Sequence, residues 1–266
     1  MRSIKNGGSA RRGRPVLSVV VPAYNESGKI GPCLARLRSF FRSAGLPFEV
    51  VVVDDGSSDS TVSEARSALR GFRNGRVITC RPNRGKGYAV RRGVLASRGG
   101  RILFLDADLS TNPAEWPKLS RRLDGGADLA IGSRKMAGAR LVRRQPWWRE
   151  KMGKVFTWLV RFFLVDVTDA TCGFKAMTRR SARALFSVQR LEGWSFDAEV
   201  LFLARRAGMR IDEVPVRWRD NPRSKVKPVR DAVLSLAGII FIRWSALAGR
   251  YGRVIRGWRG NQPDAR

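Results

Sequence analysis

Arg101-Ile102-Leu103-Phe104-Leu105-Asp106-Ala107-Asp108-Leu109-Ser110 is the stretch on which the reading of this chain turns. A compact apolar run ends in two carboxylates, which places them where a buried strand opens into a loop. Side chains at i and i+2 project the same way along extended backbone, so Asp106 and Asp108 can converge on one cation. The sequence contains no histidine. Oxygen donors without imidazole or thiolate suit a hard ion, Mg2+ or Mn2+, which shares its coordination with substrate phosphates. An Asp-x-Asp pair also occurs at solvated strand ends, so the surrounding sequence must decide its meaning.

The same unit recurs upstream. Leu17 to Val21 runs into the loop Pro22-Ala23-Tyr24-Asn25-Glu26-Ser27-Gly28 and then a helix over roughly 29–43. Val50 to Val53 ends in Asp54-Asp55-Gly56-Ser57-Ser58-Asp59, with a helix following to about residue 71. Val77 to Cys80 enters Asn83-Arg84-Gly85-Lys86-Gly87 and a third helix. Short β-branched runs alternating with helices are what a mainly parallel sheet covered on both faces requires. In such sheets ligands bind beyond the carboxyl ends of the strands, and every polar cluster named so far lies on that edge.

Downstream, Asp128 to Ile131 is a fifth strand leading into Gly132-Ser133-Arg134-Lys135, a basic loop and an aromatic helix over about 146–165. A strand over 170–177, a helix from Phe196 to Gly208 and a last strand from Ile211 to Trp218 follow. The alternation of Val214, Val216 and Trp218 suits a sheet edge. Neither Gly-x-Gly-x-x-Gly after the first strand nor a Gly-x-x-x-x-Gly-Lys-Ser/Thr loop is present, so diphosphate charge must be met by metal and basic side chains.

The formal charge of +30 on 266 residues points to polyanionic partners: nucleic acid, anionic lipid or phosphorylated substrate. The basic residues are scattered and form no nucleic-acid reader motif, which argues against nucleic acid. Three distant cysteines, Cys33, Cys80 and Cys172, indicate neither a disulfide framework nor a zinc site and fit a reducing cytoplasm. Residues 1–15 form a basic arm without the apolar core of a signal peptide, expected to be disordered. Over 227–266 an amphipathic helix is expected: Val233, Leu234, Ala237, Ile240, Phe241, Trp244, Leu247, Ala248 and Tyr251 on one face, Asp231, Ser235, Gly238, Arg253 and Arg256 on the other. A spanning helix would bring Arg243 near the bilayer centre at about 2.5–3.5 kcal/mol, whereas a helix lying on anionic lipid accounts for both faces. Packing on the domain is the remaining alternative.

Taken in order, Val19-Val20-Val21-Pro22-Ala23-Tyr24-Asn25-Glu26, Val53-Asp54-Asp55-Gly56-Ser57-Ser58-Asp59, Asn83-Arg84-Gly85-Lys86-Gly87 and Leu105-Asp106-Ala107-Asp108-Leu109-Ser110 resemble the inverting family 2 glycosyltransferases of GT-A fold. The resemblance continues through Gly132-Ser133-Arg134, Cys172-Gly173-Phe174-Lys175 and Trp194-Ser195-Phe196-Asp197-Ala198-Glu199 to Arg223-Ser224-Lys225. These later segments look most like the dolichyl-phosphate and polyprenyl-phosphate hexose synthases. Ser110, where mannosyl members commonly carry Gln, and Arg223, where they carry Gly, lean toward UDP-glucose.

The resemblance implies a Rossmann-like GT-A domain over 16–226, with Pro22, Tyr24, Glu26, Asp55 and Lys86 on the nucleotide sugar and Asp55 accepting from the uracil N–H. It implies that Asp106 and Asp108 hold the metal, and that Arg134 and Arg149 hold the phosphate of a polyprenyl-phosphate acceptor, with the protein peripheral on the cytoplasmic membrane face. Such chemistry works without histidine, because a lipid phosphate arrives ionised and needs no general base. Asp197 and Glu199 are then expected to be structural or sugar-contacting. The rival readings are transfer from GDP-mannose, and transfer to a glycolipid or polysaccharide hydroxyl.

Overall fold

The computed structural model describes residues 15–143, 147–220 and 228–252; the basic arm, the Arg223-Ser224-Lys225 segment and the C-terminal tail lie outside them. Strands β1 (Leu17–Ala23), β2 (Phe48–Asp54), β3 (Gly75–Thr79) and β4 (Arg101–Leu105) alternate with helices α1 (Ile30–Ser43), α2 (Thr61–Leu69) and α3 (Lys86–Ala96). Then come α4 (Trp116–Asp124), β5 (Leu129–Ser133), β6 (Arg140–Arg143), α5 (Trp147–Phe163), β7 (Phe174–Thr178), α6 (Arg179–Val188), α7 (Phe196–Arg206), β8 (Ile211–Pro215), β9 (Arg217–Arg219) and α8 (Pro228–Leu247).

Seven strands form one sheet in the order β3-β2-β1-β4-β7-β5-β8. Only β7 runs antiparallel to its neighbours. Period-two alternation sorts the apolar side chains of the central strands into two cores, as a sheet covered on both faces demands. Leu17, Val19 and Val21 pack with α1, α2 and α4. Val20, with Phe104 and Ile131 of neighbouring strands, packs with α3, α6 and α7. The expected mainly parallel α/β architecture is what the chain adopts.

Two expectations about elements are corrected. The final strand is two: β8 closes the sheet edge, and after Val216 the chain leaves it to form β9, which pairs in parallel with β6 as a separate ribbon. Secondly, Pro22 lies inside β1 and is buried, not in the following loop. It is tolerated there because β1 is paired to β4 only as far as Val20 opposite Phe104, while its pairing to β2 continues to Ala23 opposite Asp54.

Helix α8 packs against α5 and α7. Ile239, Ile242 and Ser245 are buried, and Gly238 lies so close to Ser195 that a Cβ there would stand 2.6 Å from the serine Cβ. Leu234, Ile240, Trp244 and Leu247, from the apolar face expected in the sequence, are exposed. The helix thus docks through the face that carries Ser235 and Gly238 and leaves those four residues outward, whereas Phe241 is half-buried and Tyr251, expected on the same face, is buried just beyond the helix. Among the described residues no helix is long and apolar enough to cross a membrane.

Candidate active site

β1 and β4 lie side by side, but the chain runs on from β1 to β2 toward one edge of the sheet and from β4 to β5 toward the other, so a crevice opens beyond their carboxyl ends. One wall is the loop after β1. Its Asn25 adopts a left-handed backbone (φ 50°), and it is fastened to the loop after β2. The Asn25 N–H donates to Ser57 Oγ at 2.8 Å, Ser58 N–H donates to Asn25 Oδ1 at 2.8 Å, and Glu26 N–H donates to Thr61 Oγ1 at 2.7 Å. These bonds hold Tyr24, 40% exposed, at the rim, and Glu26 beside it, where its carboxylate meets Lys29.

Asp55 follows β2 directly and is buried. Its Oδ2 accepts from Gly85 N at 2.6 Å and Asn83 Nδ2 at 2.9 Å, and both oxygens share Arg84 N at 3.2 Å. Among the described residues Oδ1 carries only that long shared bond, so acceptor capacity remains on it. Burial raises the Asp55 carboxyl above its ordinary range, against the lowering effect of the Gly85 and Arg84 N–H groups.

The glycines of Gly85-Lys86-Gly87 serve close packing. A Cβ on Gly85 would stand 2.5 Å from the Glu192 carbonyl oxygen, and one on Gly87 2.5 Å from that of Leu191. Only glycine lets the start of α3 approach the loop 189–195 this closely. The loop is also tied by Tyr88 N–H donating to the Glu192 carbonyl at 3.1 Å and by an Arg84–Glu192 ion pair. Trp194 of this loop is half exposed, its ring centroid 5.3 Å from Lys86 Nζ.

Asp106 and Asp108 do not sit on extended backbone as expected. The strand ends at Leu105, Leu109 N–H donates to the Asp106 carbonyl at 3.1 Å, and Leu109 takes a left-handed φ of 51°, so the pair lies in a tight turn. Asp108 Oδ1 accepts from Ser110 N at 2.9 Å, which fixes the second carboxylate within that turn. Lys86 Nζ meets Asp106 Oδ1 at 2.6 Å. Burial would lower the Lys86 pKa, but Asp106, Asp197 and Asp108 outweigh it and keep the ammonium charged. A Cβ on Gly173 would lie 2.5 Å from the Asp106 Cγ and closer still to Oδ2, so this glycine makes room for the carboxylate.

The donor set of the turn is all oxygen and holds two carboxylates. Among the described residues no cluster of three or more His, Cys, Asp or Glu could hold a metal by itself. Two carboxylates on a turn in an open crevice fit a hard divalent ion that completes its shell with substrate oxygens, and do not fit a fully protein-ligated metal.

Behind Asp106, Lys175 is buried in β7, donating to the Cys172 carbonyl at 2.7 Å and to Asp197 Oδ1 at 2.6 Å. Glu199 accepts from Leu191 N at 2.8 Å, Arg190 N at 3.0 Å and the Tyr251 hydroxyl at 2.6 Å. Burial raises both carboxyls, while Lys175 opposes it at Asp197 and the Tyr251 hydroxyl opposes it at Glu199. One acid thus anchors Lys175 beneath the site and the other anchors the loop 189–195.

Arg134, after β5, donates from Nε and Nη2 to Asp169 at 2.7 and 2.8 Å and from Nη2 to Thr171 at 2.8 Å, and its guanidinium stands 5.3 Å from the Trp218 ring centroid. Burial would raise the Asp169 carboxyl, but Arg134 holds it far below the usual range. Thr171, which Arg134 bonds, stands two residues before Gly173, which abuts Asp106, so the arginine and the turn border the same site. Arg149 falls in the first turn of α5, and its side chain lies outside the described residues. The structure thus gathers Asp55, Lys86, Asp106, Asp108 and Arg134 around one crevice. Sequence reasoning gave Lys175 and Gly173 no role and missed Asp169, which stands 35 positions from the arginine it orients.

The model for glycosyl transferase family 2 matches residues 18–186. Dolichyl-phosphate beta-glucosyltransferase of Drosophila melanogaster is 40% identical over 80% of this chain and 69% of its own. That of Saccharomyces cerevisiae is 35% identical over 88% of this chain and 76% of its own. Among solved structures, glucosyl-3-phosphoglycerate synthase of Mycobacterium tuberculosis superposes with a TM-score of 0.64 at 23% identity, over 90% of this chain and 81% of that one. The same enzyme with Mn2+, UDP and glucosyl-3-phosphoglycerate gives 0.64 at 22%, over 90% and 81%. At that identity the likeness speaks for the fold. The family match and the curated relatives speak for the chemistry, and with them the chain belongs to glycosyltransferase family 2.

Proposed function

We propose that the protein transfers a hexose, glucose from UDP-glucose, to a polyprenyl or dolichyl phosphate at the cytoplasmic membrane face, with inversion and with help from Mg2+ or Mn2+. The observation that carries this reading is that, among the described residues, the acids beneath the crevice are already engaged. The sequence has no histidine, and the buried acids Asp197 and Glu199 are committed to Lys175 and to the loop 189–195. A hydroxyl acceptor needs a proton removed in the transition state, whereas a phosphate oxygen is already a nucleophile. The names of the relatives point the same way.

In this reading, Asp55 Oδ1 accepts from the uracil N–H and Tyr24 covers the nucleoside at the rim. Pro22 and Glu26 shape the pocket. Asp106 and Asp108 hold the metal, which when bound offsets charge on the departing diphosphate. Lys86, kept charged beside Asp106, adds a second positive group there. Arg134, oriented by Asp169 and Thr171, and Arg149 from α5 receive the acceptor phosphate. The phosphate oxygen attacks the anomeric carbon as its bond to UDP breaks on the opposite side, leaving a β-linked lipid phosphate sugar. The outward apolar face of α8 accounts for peripheral attachment to an anionic membrane.

Purified protein given radiolabelled UDP-glucose, UDP-GlcNAc or GDP-mannose with polyprenyl phosphate tests the reading. Label is expected in the lipid extract from UDP-glucose, lost with Asp108→Asn. Label from GDP-mannose alone would make the donor a mannosyl nucleotide. Label confined to water-soluble polymer, or undiminished transfer by Asp108→Asn, would overturn the reading.

A further inference from the structure

The ribbon of β6 and β9 carries an arrangement that the transfer chemistry does not use. Arg140 lies opposite Arg217 and Arg143 opposite Arg219, with Leu141 opposite Trp218 and an irregularity at Val142. In a regular strand, residues 140 and 143 would face opposite ways. The extra residue at 142 resets the alternation, so both arginine pairs face one side of the ribbon. The other side carries Leu141 and the buried Trp218, whose ring lies against Arg134.

All four arginines are exposed, and among the described residues none has a carboxylate partner. Like charges directly opposite one another destabilise a strand pair. The ribbon is held to the domain by the Thr111–Trp218 bridge and by Arg219 N–H donating to the Ser110 carbonyl at 2.9 Å, so it bears that cost without removing it. An anionic occupant removes the repulsion.

The setting says which anion. β6 ends at Arg143 and α5 begins at Trp147; β9 ends at Arg219 and α8 begins at Pro228; and α5 packs on α8. Each basic strand therefore leads into a helix with an exposed apolar surface: Val155, Trp158 and Phe162 on α5, Ile240, Trp244 and Leu247 on α8. Lys135 fastens α5 to the site, its Nζ bonding the Gly153 carbonyl at 3.3 Å and Thr157 Oγ1 at 2.5 Å. Arginines beside exposed aromatic and aliphatic helix faces match a bilayer edge, with charge at the headgroups and rings below them.

We infer that the Arg140, Arg143, Arg217 and Arg219 face binds the phosphates of anionic phospholipids. It is the polar half of a docking surface whose apolar half is α5 and α8, and through Trp218 it sets Arg134 at headgroup depth. This deepens the membrane part of the proposed function, which assigned attachment to α8 alone.

The test is sedimentation of the full chain with phosphatidylcholine vesicles, with and without phosphatidylglycerol, comparing wild type with R140Q/R217Q and R143Q/R219Q. Each arginine near an anionic surface contributes about fivefold, so each double variant is expected to lose about 25-fold in binding to the anionic vesicles. Binding to neutral vesicles is expected to be unchanged, and the melting temperature without vesicles is expected not to fall, because a repulsive pair has been removed. If a double variant does not fold, R217Q and R219Q singly carry the test. Anionic-vesicle binding equal to wild type overturns the inference. Release of the wild type by inorganic phosphate at matched ionic strength also overturns it, making the ribbon a free-phosphate site. A wild type that binds vesicles but transfers no hexose to any lipid phosphate would overturn the acceptor assignment and leave the ribbon result standing.

Discussion

The position of Asp106 depends on a residue with no side chain. Gly173 does not adopt left-handed backbone, so nothing in its own conformation forbids alanine. What forbids it is the carboxylate of Asp106, against which a methyl group has no room. Gly173→Ala is therefore expected to keep its far-ultraviolet circular dichroism while turnover falls about a hundredfold, the scale of an ångström's misplacement of a reacting group. Mn2+ binding in the presence of UDP, read by electron paramagnetic resonance, is expected to weaken in parallel. Normal Mn2+ affinity in the variant would show that Asp106 does not need that position. At this scale the sequence was most legible where chemistry and strand end coincide. Asp55, Lys86, Asp106 and Asp108 each follow an apolar run or open a helix, and all four meet in the crevice. Asp169 was not legible: its neighbours form no pattern, and its meaning lies wholly in Arg134, brought to it by the fold.

Helix α8 shows how an element can be read correctly in composition and still need the structure for its orientation. The expected apolar face is there, but the domain takes the other one: Gly238 against Ser195, with Ile239, Ile242 and Ser245 buried. Small residues read in sequence as a polar face are what allow the helix to approach closely. The two faces should separate in experiment. Ile240→Ser with Trp244→Ser, both on the exposed face, is expected to reduce partition onto anionic vesicles about tenfold or more while leaving the melting temperature near that of wild type. Ile242→Ser, on the buried face, is expected to lower the melting temperature by several degrees, since removing a buried aliphatic side chain costs about 2–5 kcal/mol. Reversal of the two outcomes would mean that the helix docks the other way round. The split of the last strand into β8 and β9 was illegible for a related reason. Val214, Val216 and Trp218 alternate without interruption, and only the pairing partners reveal that the chain changes sheets between them.

For the molecule as a whole, the charge of +30 sets the response to pH and salt. Glu49 is fully buried and accepts from Ser18 Oγ, Arg98 N and Nε, and Arg76 Nη2; burial pushes its carboxyl up, but these donors hold it below its ordinary value. Asp169 is likewise held down by Arg134 against the effect of burial. Both folded values lie below the unfolded ones of about 4.3 and 3.9, so the stability they contribute is fully present above that range and is lost as pH falls through the folded values. Asp55, Asp197 and Glu199 are raised mainly by burial and act in the opposite sense. Their folded values exceed the unfolded ones, so protonation as pH falls through those folded values relieves a cost of the folded state. Full protonation of the acids meanwhile carries the net charge toward +52, the number of lysines and arginines, and increases self-repulsion. The melting temperature is therefore expected to hold or rise slightly from pH 7 to about pH 5 and to fall steeply below about pH 4. Raising the salt from about 0.01 to 1 M shortens the screening length from about 30 to 3 Å, and should raise the melting temperature at neutral pH and more so in acid. Circular dichroism melts across this range at both ionic strengths decide the matter. A melting temperature that falls steadily from neutrality would mean that the buried acids are not raised, and one that does not decline at all below about pH 4 would mean that the Asp169 and Glu49 carboxyls are not held below their ordinary values.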